Sequence, residues 1–212
     1  MKRSVCSSRH RLACTVGVLG ALLAGQLAHA APDPVVTLPV VFHVAQWQGR
    51  PVVDAAFVAE RLARANEIFA GHGVGFSVGA SLTLGAEHAV IETREDRDAL
   101  DSQLQPLVIN CFVVRSLRDV DDPTQVRRGV HWHSRAHVGA HYVILSSIAA
   151  TGVLAHELGH FLGNPKHSQT PGNLMSYQWG AELPFLDATQ VRRVTQAVRD
   201  YLRRHELQAV AR

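Results

Sequence analysis

The chain has 212 residues, with 21 lysines and arginines, 18 aspartates and glutamates, and 13 histidines, for a formal net charge of +3. Residues 1–30 hold four of the basic residues and none of the acidic ones, which leaves 17 basic and 18 acidic residues in 31–212. This balance lacks the strong basic patch expected of a nucleic-acid-binding domain, so nucleic acid is not an expected partner.

The first 30 residues have the pattern of a secretory signal peptide. Lysine and arginine precede an apolar stretch of roughly 14 residues, which is short of the ~20 that a membrane-spanning helix needs. Residues 28–30 read Ala-His-Ala, a cleavage site of the A-x-A kind. The sequence therefore predicts a signal peptide over 1–30, cleavage near Ala30 and a single catalytic domain over 31–212. The protein is expected to be exported to the periplasm or the extracellular space, without a membrane anchor.

Cys111 is the only cysteine outside the predicted signal peptide, because Cys6 and Cys14 lie within it. No disulfide can then form within the mature chain. Cys111 lies in the apolar run LVINCFVV, where burial keeps a thiol protonated and inert. We interpret it as a structural core residue.

The predicted elements begin with a strand over 35–44, in which Pro39 indicates an edge position or a bulge. Asp54 can cap a following helix, and residues 74–84 alternate as in a half-buried strand. A loop with a short helix is predicted over 85–106, followed by a strand covered on both faces over 107–114 and a polar loop. Two strands over 129–133 and 141–146 are joined near Gly139. A helix capped by Ser147 or Thr151 then ends at Gly163, and a last helix starts near Asp187. This order indicates a single α+β domain.

A zinc-binding pattern begins at His156. Histidines four residues apart share one face of a helix, so His156 and His160 can bind one metal ion. Glu157 stands where H-E-x-x-H hydrolases place the carboxylate that accepts a proton from the attacking water. The five residues alone also occur by chance in unrelated chains. Gly163, three residues after His160, can end the helix and turn the chain back.

A catalytic zinc site needs a third protein ligand and one open position. Pro165 prevents the helix from resuming, and His167 is the next residue suited to bind a metal. We expect His156, His160 and His167 to hold one catalytic Zn²⁺.

The pattern resembles the metzincin signature H-E-x-x-H-x-x-G-x-x-H, which is followed by a methionine turn. The clan's third histidine corresponds to Lys166 here, and His167 stands one residue later. The resemblance therefore implies a one-residue insertion with His167 as the ligand. The alternatives are completion of the site by Asp187 or His133, or a degenerate site that binds zinc poorly.

Residues 173–177 read Asn-Leu-Met-Ser-Tyr and resemble the methionine turn, with Met175 as an apolar floor beneath the zinc ligands. The Met-Ser-Tyr triplet resembles the astacin and serralysin branches, in which the tyrosine can bind resting zinc and swing out to stabilise the oxyanion. The resemblance implies that role for Tyr177. The alternative is a tyrosine that packs the turn with its hydroxyl in solvent.

The order of strands and helices is similar to that of a small metzincin, with some likeness to the pappalysin-type branch. The resemblance implies a zincin-like α+β fold, with a twisted mixed sheet of about five strands, a backing helix, an active-site helix and a C-terminal helix. It also implies a sheet edge that receives a peptide substrate as an added strand. Residues 129–132 are our candidate for that edge.

For three further features we prefer a structural interpretation over a functional site. His131, His133, His137 and His141 could form a second metal site, but a polar hairpin near the cleft is the simpler interpretation. Asp119, Asp121 and Asp122 could hold calcium, since hard cations favour carboxylates; a solvated acidic loop is preferred. Several arginines of the last helix are interpreted as a solvated face.

The sequence thus predicts a secreted zinc-dependent endopeptidase that acts on protein or peptide substrates, with Glu157 as general base and Tyr177 assisting. One alternative is a zinc-binding interaction module without turnover. Another is a zinc amidase acting on a non-protein amide such as peptidoglycan. The sequence does not decide the oligomeric state.

Overall fold

The computed structural model describes residues 36–210, so the predicted signal peptide lies outside the described residues. The strands are β1 (Val36–Trp47), β2 (Arg50–Pro51), β3 (Val74–Leu84), β4 (Val90–Ile91), β5 (Ile109–Val114), β6 (Ser116–Leu117), β7 (Gly129–His133) and β8 (His141–Ser146). The α-helices are α1 (Ala55–Ala70), α2 (Arg94–Ala99), α3 (Val153–Phe161) and α4 (Ala188–Arg203). No helix within 36–210 is long and apolar enough to span a membrane.

The main sheet has the order β3-β1-β5-β8-β7, and β2 extends the end of β1 as a short antiparallel partner. The pairs β3–β1, β1–β5 and β5–β8 are parallel, whereas β7 runs antiparallel to β8. A second small sheet joins β4 and β6. The fold is therefore a mixed α+β arrangement in which β7 forms one edge, as predicted for residues 129–132.

Both faces of β5 are buried, which confirms the prediction from its apolar run. Cys111 and Val113 belong to a core shared with α1, α3 and α4. Phe112 and Val114 belong to a second core on the opposite face, together with Tyr142. Cys111 is fully buried and its pKa is raised by burial, in agreement with a structural role.

The prediction of a half-buried alternating strand is wrong for the middle of β3. Val74 and Phe76 are buried, but Val78 is 50% exposed and Leu82 is 36% exposed. β3 is the other edge of the sheet and pairs only with β1. Its buried end is held against α1, where the Asn66 side chain bonds the backbone N–H and C=O of Phe76.

Pro39 lies next to an irregularity in the sheet, as its presence in a strand indicates. The register between β1 and β3 shifts between Val40 and Val41. Pairing of β1 with β5 begins only at Val40, so Pro39 precedes the part of β1 that has neighbours on both sides. A proline cannot donate a ladder hydrogen bond, and this position avoids that loss.

The predicted cap of α1 and the predicted start of α4 near Asp187 are confirmed. Asp54 accepts a hydrogen bond from the Phe57 N–H at the start of α1. Asp187 and Gln190 form a capping box at the start of α4.

The predicted cap of α3 is wrong. Gly152 is the N-cap of α3, and no side chain caps this helix. The Ser147 hydroxyl bonds the Arg115 carbonyl instead. The first turn of α3 is fixed by backbone bonds, one of which joins the Val153 N–H to the Ala150 carbonyl.

Candidate metal centre

The helix α3 and the turn after it bring three imidazoles together. The His160 Nε2 atom lies 3.2 Å from the His156 Nε2 and 3.2 Å from the His167 Nε2. Two nitrogens bound to a tetrahedral zinc at about 2.0–2.1 Å would lie about 3.3 Å apart. The spacing of these atoms therefore fits zinc.

Carbonyl groups orient two of the three rings. The His156 Nδ1–H donates to the Leu174 carbonyl at 2.7 Å, and the His160 Nδ1–H donates to the Asn164 carbonyl at 2.7 Å. The proton on Nδ1 leaves the Nε2 lone pair free for a metal ion, which is the usual arrangement for ligating histidine. The site is thus oriented by protein groups before any ion binds.

The extra residue after Gly163 is accommodated by the turn itself. Gly163 has a φ of +90°, and the Asn164 N–H bonds back to the Gly159 carbonyl, which closes the helix with a left-handed turn. Asn164 is buried, whereas Lys166 is exposed and His167 reaches the other two histidines.

The two alternative third ligands are engaged elsewhere. The Asp187 carboxylate accepts hydrogen bonds from the first turn of α4. His133 belongs to a different group of histidines. Among the described residues, the geometry therefore favours His167 as the third ligand.

Glu157 is buried beside the triad, with 6% of its surface exposed. Burial raises the pKa of this carboxyl to about 8, because the charged form loses water. A divalent cation on the three histidines would favour the carboxylate and lower that pKa again. The position suits a group that takes up and releases a proton near neutral pH.

Gly129 explains how Glu157 fits against the sheet edge. A Cβ atom at Gly129 would lie 2.5 Å from Val153 Cγ1 and 3.0 Å from Glu157 Cγ. Only glycine permits β7 to pass this close to the first turns of α3. The backbone of His131, on the same strand, helps to lower the pKa of Glu157 against the effect of burial.

Met175 packs against the helix that carries His156 and His160. It is fully buried, and its sulfur would lie 2.5 Å from a Cβ at Gly159, the residue just before His160. Asn173 shapes the turn by accepting from the Met175 N–H, and Gln190 of α4 holds the Asn173 amide. The turn that supplies the Leu174 carbonyl is therefore anchored to the last helix.

Tyr177 lies at the open side of the triad. Its hydroxyl is 2.8 Å from the His167 Nε2, and the residue is 68% exposed. Arg127 lies close enough to lower the pKa of Tyr177 against the effect of burial, and it forms an ion pair with the buried Asp119. This position agrees with the role expected from the Met-Ser-Tyr resemblance, which stays a prediction.

A cavity of about 890 Å³ opens onto the triad. Its walls come from the segment that leads into β7, from β7 itself, from α3 and from the turn after it. The lining includes Arg127, Gly129, His131, Glu157, Tyr177 and Trp179. The free edge of β7 thus runs along a cavity that contains the three histidines and the buried carboxylate.

Three contributors to this site were not predicted from the sequence: Gly129, Gly159 and Gln190. Gly159 is visible in H-E-L-G-H as a glycine within a helix, which is a local signal of a close contact. Gly129 and Gln190 act across the fold, and no local pattern identifies their partners.

The acidic loop and His137 are bound by protein groups outside the triad. Asp121 pairs with Arg94, and Asp122 accepts from Thr124 and Gln125, so these carboxylates are engaged by protein donors. His137 is exposed and pairs with Asp101.

Comparisons with known proteins bear on the fold of the chain. A scan against protein-family models gives no match, and a search of curated proteins gives none either. Among solved structures, mature mirolysin of Tannerella forsythia in complex with a cleaved peptide superimposes with a TM-score of 0.55 at 13% identity, covering 84% of this chain and 100% of that one. Metalloproteinase-II from Bacteroides fragilis gives 0.51 at 13% identity, covering 78% of this chain and 54% of that one. The chain has a metzincin-like fold.

The metzincin-like fold accounts for the layout of the site. It places the parallel strands and α1 behind α3 and leaves the antiparallel strand β7 at the edge of the cavity. At 13% identity the likeness concerns the backbone. The metal preference follows from the side chains of this chain, because three imidazoles with Nε2 atoms grouped together form a donor set that zinc prefers.

Proposed function

We propose that this protein is an exported zinc-dependent endopeptidase. The observation that carries the proposal is the grouping of His156, His160 and His167 around one point, with the buried Glu157 carboxyl beside them. A zinc ion at that point would supply a Lewis acid and would make water acidic enough to react near neutral pH. The export depends on the predicted signal peptide over 1–30.

Glu157 is the proposed general base. It lies beside the three histidines and lines the cavity, so its carboxylate can take a proton from the attacking water. The same carboxyl can then give that proton to the leaving amine. Gly129 keeps this carboxyl close to the edge of the sheet, because a larger residue would displace it.

Tyr177 is the proposed donor to the oxygen that becomes negative during attack. Its hydroxyl lies at the open side of the triad, 2.8 Å from the His167 Nε2. Donors directed at a developing oxyanion lower the barrier of acyl transfer. The exposure of Tyr177 leaves this side chain free to turn towards a substrate.

The edge strand β7 supports a peptide as substrate. An edge strand presents unpaired backbone N–H and C=O groups, which can bind an extended peptide as an added strand. This mode recognises the backbone and suits cleavage within a chain. The mirolysin structure in complex with a cleaved peptide is a precedent for peptide binding on a similar fold.

The test is cleavage of a diverse peptide library by the purified protein, with Glu157→Gln as the matched variant. We expect zinc-dependent internal cleavage that is lost on chelation and restored by zinc. The Glu157→Gln variant should retain its zinc but lose roughly 10²–10⁴-fold in rate, the usual contribution of a general base.

Two outcomes would contradict the proposal. A folded, zinc-loaded protein that cleaves no peptide would favour an interaction module or an amidase for a non-protein amide. Cleavage that is equally fast in the Glu157→Gln variant would remove Glu157 from the mechanism.

A further inference from the structure

A second group of three histidines lies on the β7–β8 hairpin. His133 faces His141 directly in the antiparallel register, and His131 lies two residues along β7 from His133. Side chains two residues apart on a strand share a face, so all three rings project from the same side of the hairpin. One nitrogen from each ring lies within 4.8 Å of the others.

The rings already contact one another. The His131 Nε2 and the His141 Nδ1 are 2.8 Å apart, so one ring donates a hydrogen to the other. His133 stacks on His141 with their centroids 5.2 Å apart.

The environment of this group suits a metal site. Phe161 stacks on His141 with centroids 4.2 Å apart, and Tyr201 lies 5.5 Å from the same ring. These apolar side chains form one wall, whereas His133 is exposed and leaves a path from solvent. The fourth histidine of the hairpin, His137, pairs with Asp101 and does not join the group.

We propose that His131, His133 and His141 bind a second divalent transition-metal ion, zinc or copper. Three imidazole nitrogens form a donor set favoured by Zn²⁺ and Cu²⁺. The His131 and His141 nitrogens need to separate from 2.8 Å to about 3.3 Å to share a tetrahedral ion. A tautomer change that moves the shared hydrogen to the outer nitrogen of its ring frees both lone pairs.

The second ion would cross-link the two strands of the hairpin, because its ligands come from both β7 and β8. β7 carries two of the ligands and also lines the cavity at the first triad, while His141 lies against Phe161 of α3 and Tyr201 of α4. An ion at this position would hold the edge strand in place without touching Glu157. The proposal does not depend on peptidase activity.

The experiment is equilibrium dialysis of the purified protein against micromolar free Zn²⁺, with metal content measured by mass spectrometry. We expect two equivalents in the wild type and one in His133→Ala. The control His137→Ala removes a histidine from the same hairpin and should keep two equivalents. His133 is exposed, so its replacement should leave the fold intact, which circular dichroism checks.

Cu²⁺ in a His167→Ala background then identifies the ligands. Electron paramagnetic resonance should show nitrogen couplings from the hairpin, and these couplings should disappear when His133→Ala is added. A wild type that holds a single equivalent, all of which is lost in His167→Ala, would overturn the proposal. So would a His133→Ala variant that holds as much metal as the wild type.

Discussion

The two histidine triads differ in how their rings are oriented. In the triad of His156, His160 and His167, two rings donate from Nδ1 to backbone carbonyls, which directs Nε2 to a common point. In the hairpin triad, His131 and His141 are hydrogen-bonded to each other, and His133 is exposed. The first triad is fixed by the helix and the methionine turn, whereas the second is fixed by strand register.

The fixed rings of the first triad suit catalysis, whereas the rings of the hairpin triad suit metal binding without catalysis. Catalysis needs ligands and base held in one geometry before the reaction, because reorganisation costs rate. The first triad has the buried Glu157 carboxylate beside it, and the turn next to it is anchored by Asn173 and Gln190 to another helix. The hairpin triad has an apolar wall and an exposed ligand, and it meets Glu157 through the His131 backbone and not through a ring.

Removal of a ring from the first triad should give the largest effect. We expect His167→Ala to reduce zinc affinity by more than the roughly 10–100-fold typical of losing an outer partner, because a direct ligand is lost. Lys166→Ala, the matched neighbour, should keep wild-type affinity. Zinc competition with a chelating dye measures both variants, and the reverse pattern would show that the inserted residue does not place His167 at the ion.

Loss of the Tyr177 hydroxyl should give the next largest effect, because this hydroxyl contacts His167, a ligand of the first triad. We expect Tyr177→Phe to lower kcat by roughly 10²–10³-fold with little change in KM, as for loss of one oxyanion donor. Tyr201→Phe is the control, because Tyr201 lines the same cavity but its hydroxyl bonds the Phe161 carbonyl. Equal kcat values for the two variants would assign Tyr177 to packing alone.

Gly129→Ala should lower the rate by a smaller factor. Gly129 lies on β7, the strand of the hairpin triad, and packs against Glu157 beside the first triad. The new Cβ would press on Val153 and Glu157 and displace the carboxylate, and a misplaced catalytic group can cost about 100-fold in rate. Zinc content should stay at the wild-type level. Gly71→Ala, where a Cβ meets no atom within 4 Å, is the control. Full activity in Gly129→Ala would mean that Glu157 does not depend on this contact.

The sequence predicts best what local patterns encode. The H-E-x-x-H spacing, the glycine that ends α3 and the start of α4 near Asp187 are each predicted from a few consecutive residues, and the structure places them accordingly. The exposed middle of β3 was not predictable, because alternation does not show whether a helix covers that part of the sheet. The hairpin triad was interpreted as a polar hairpin, since the stacking of its rings depends on cross-strand register.

An anomalous diffraction map at the zinc edge, from crystals of the protein grown with zinc, would show whether the three imidazoles share one ion. We expect a peak about 2.0–2.1 Å from the Nε2 atoms of His156, His160 and His167, with Glu157 beside it and not bound. A peak that lacks His167, or no peak between these three rings, would contradict a zinc site built from this triad.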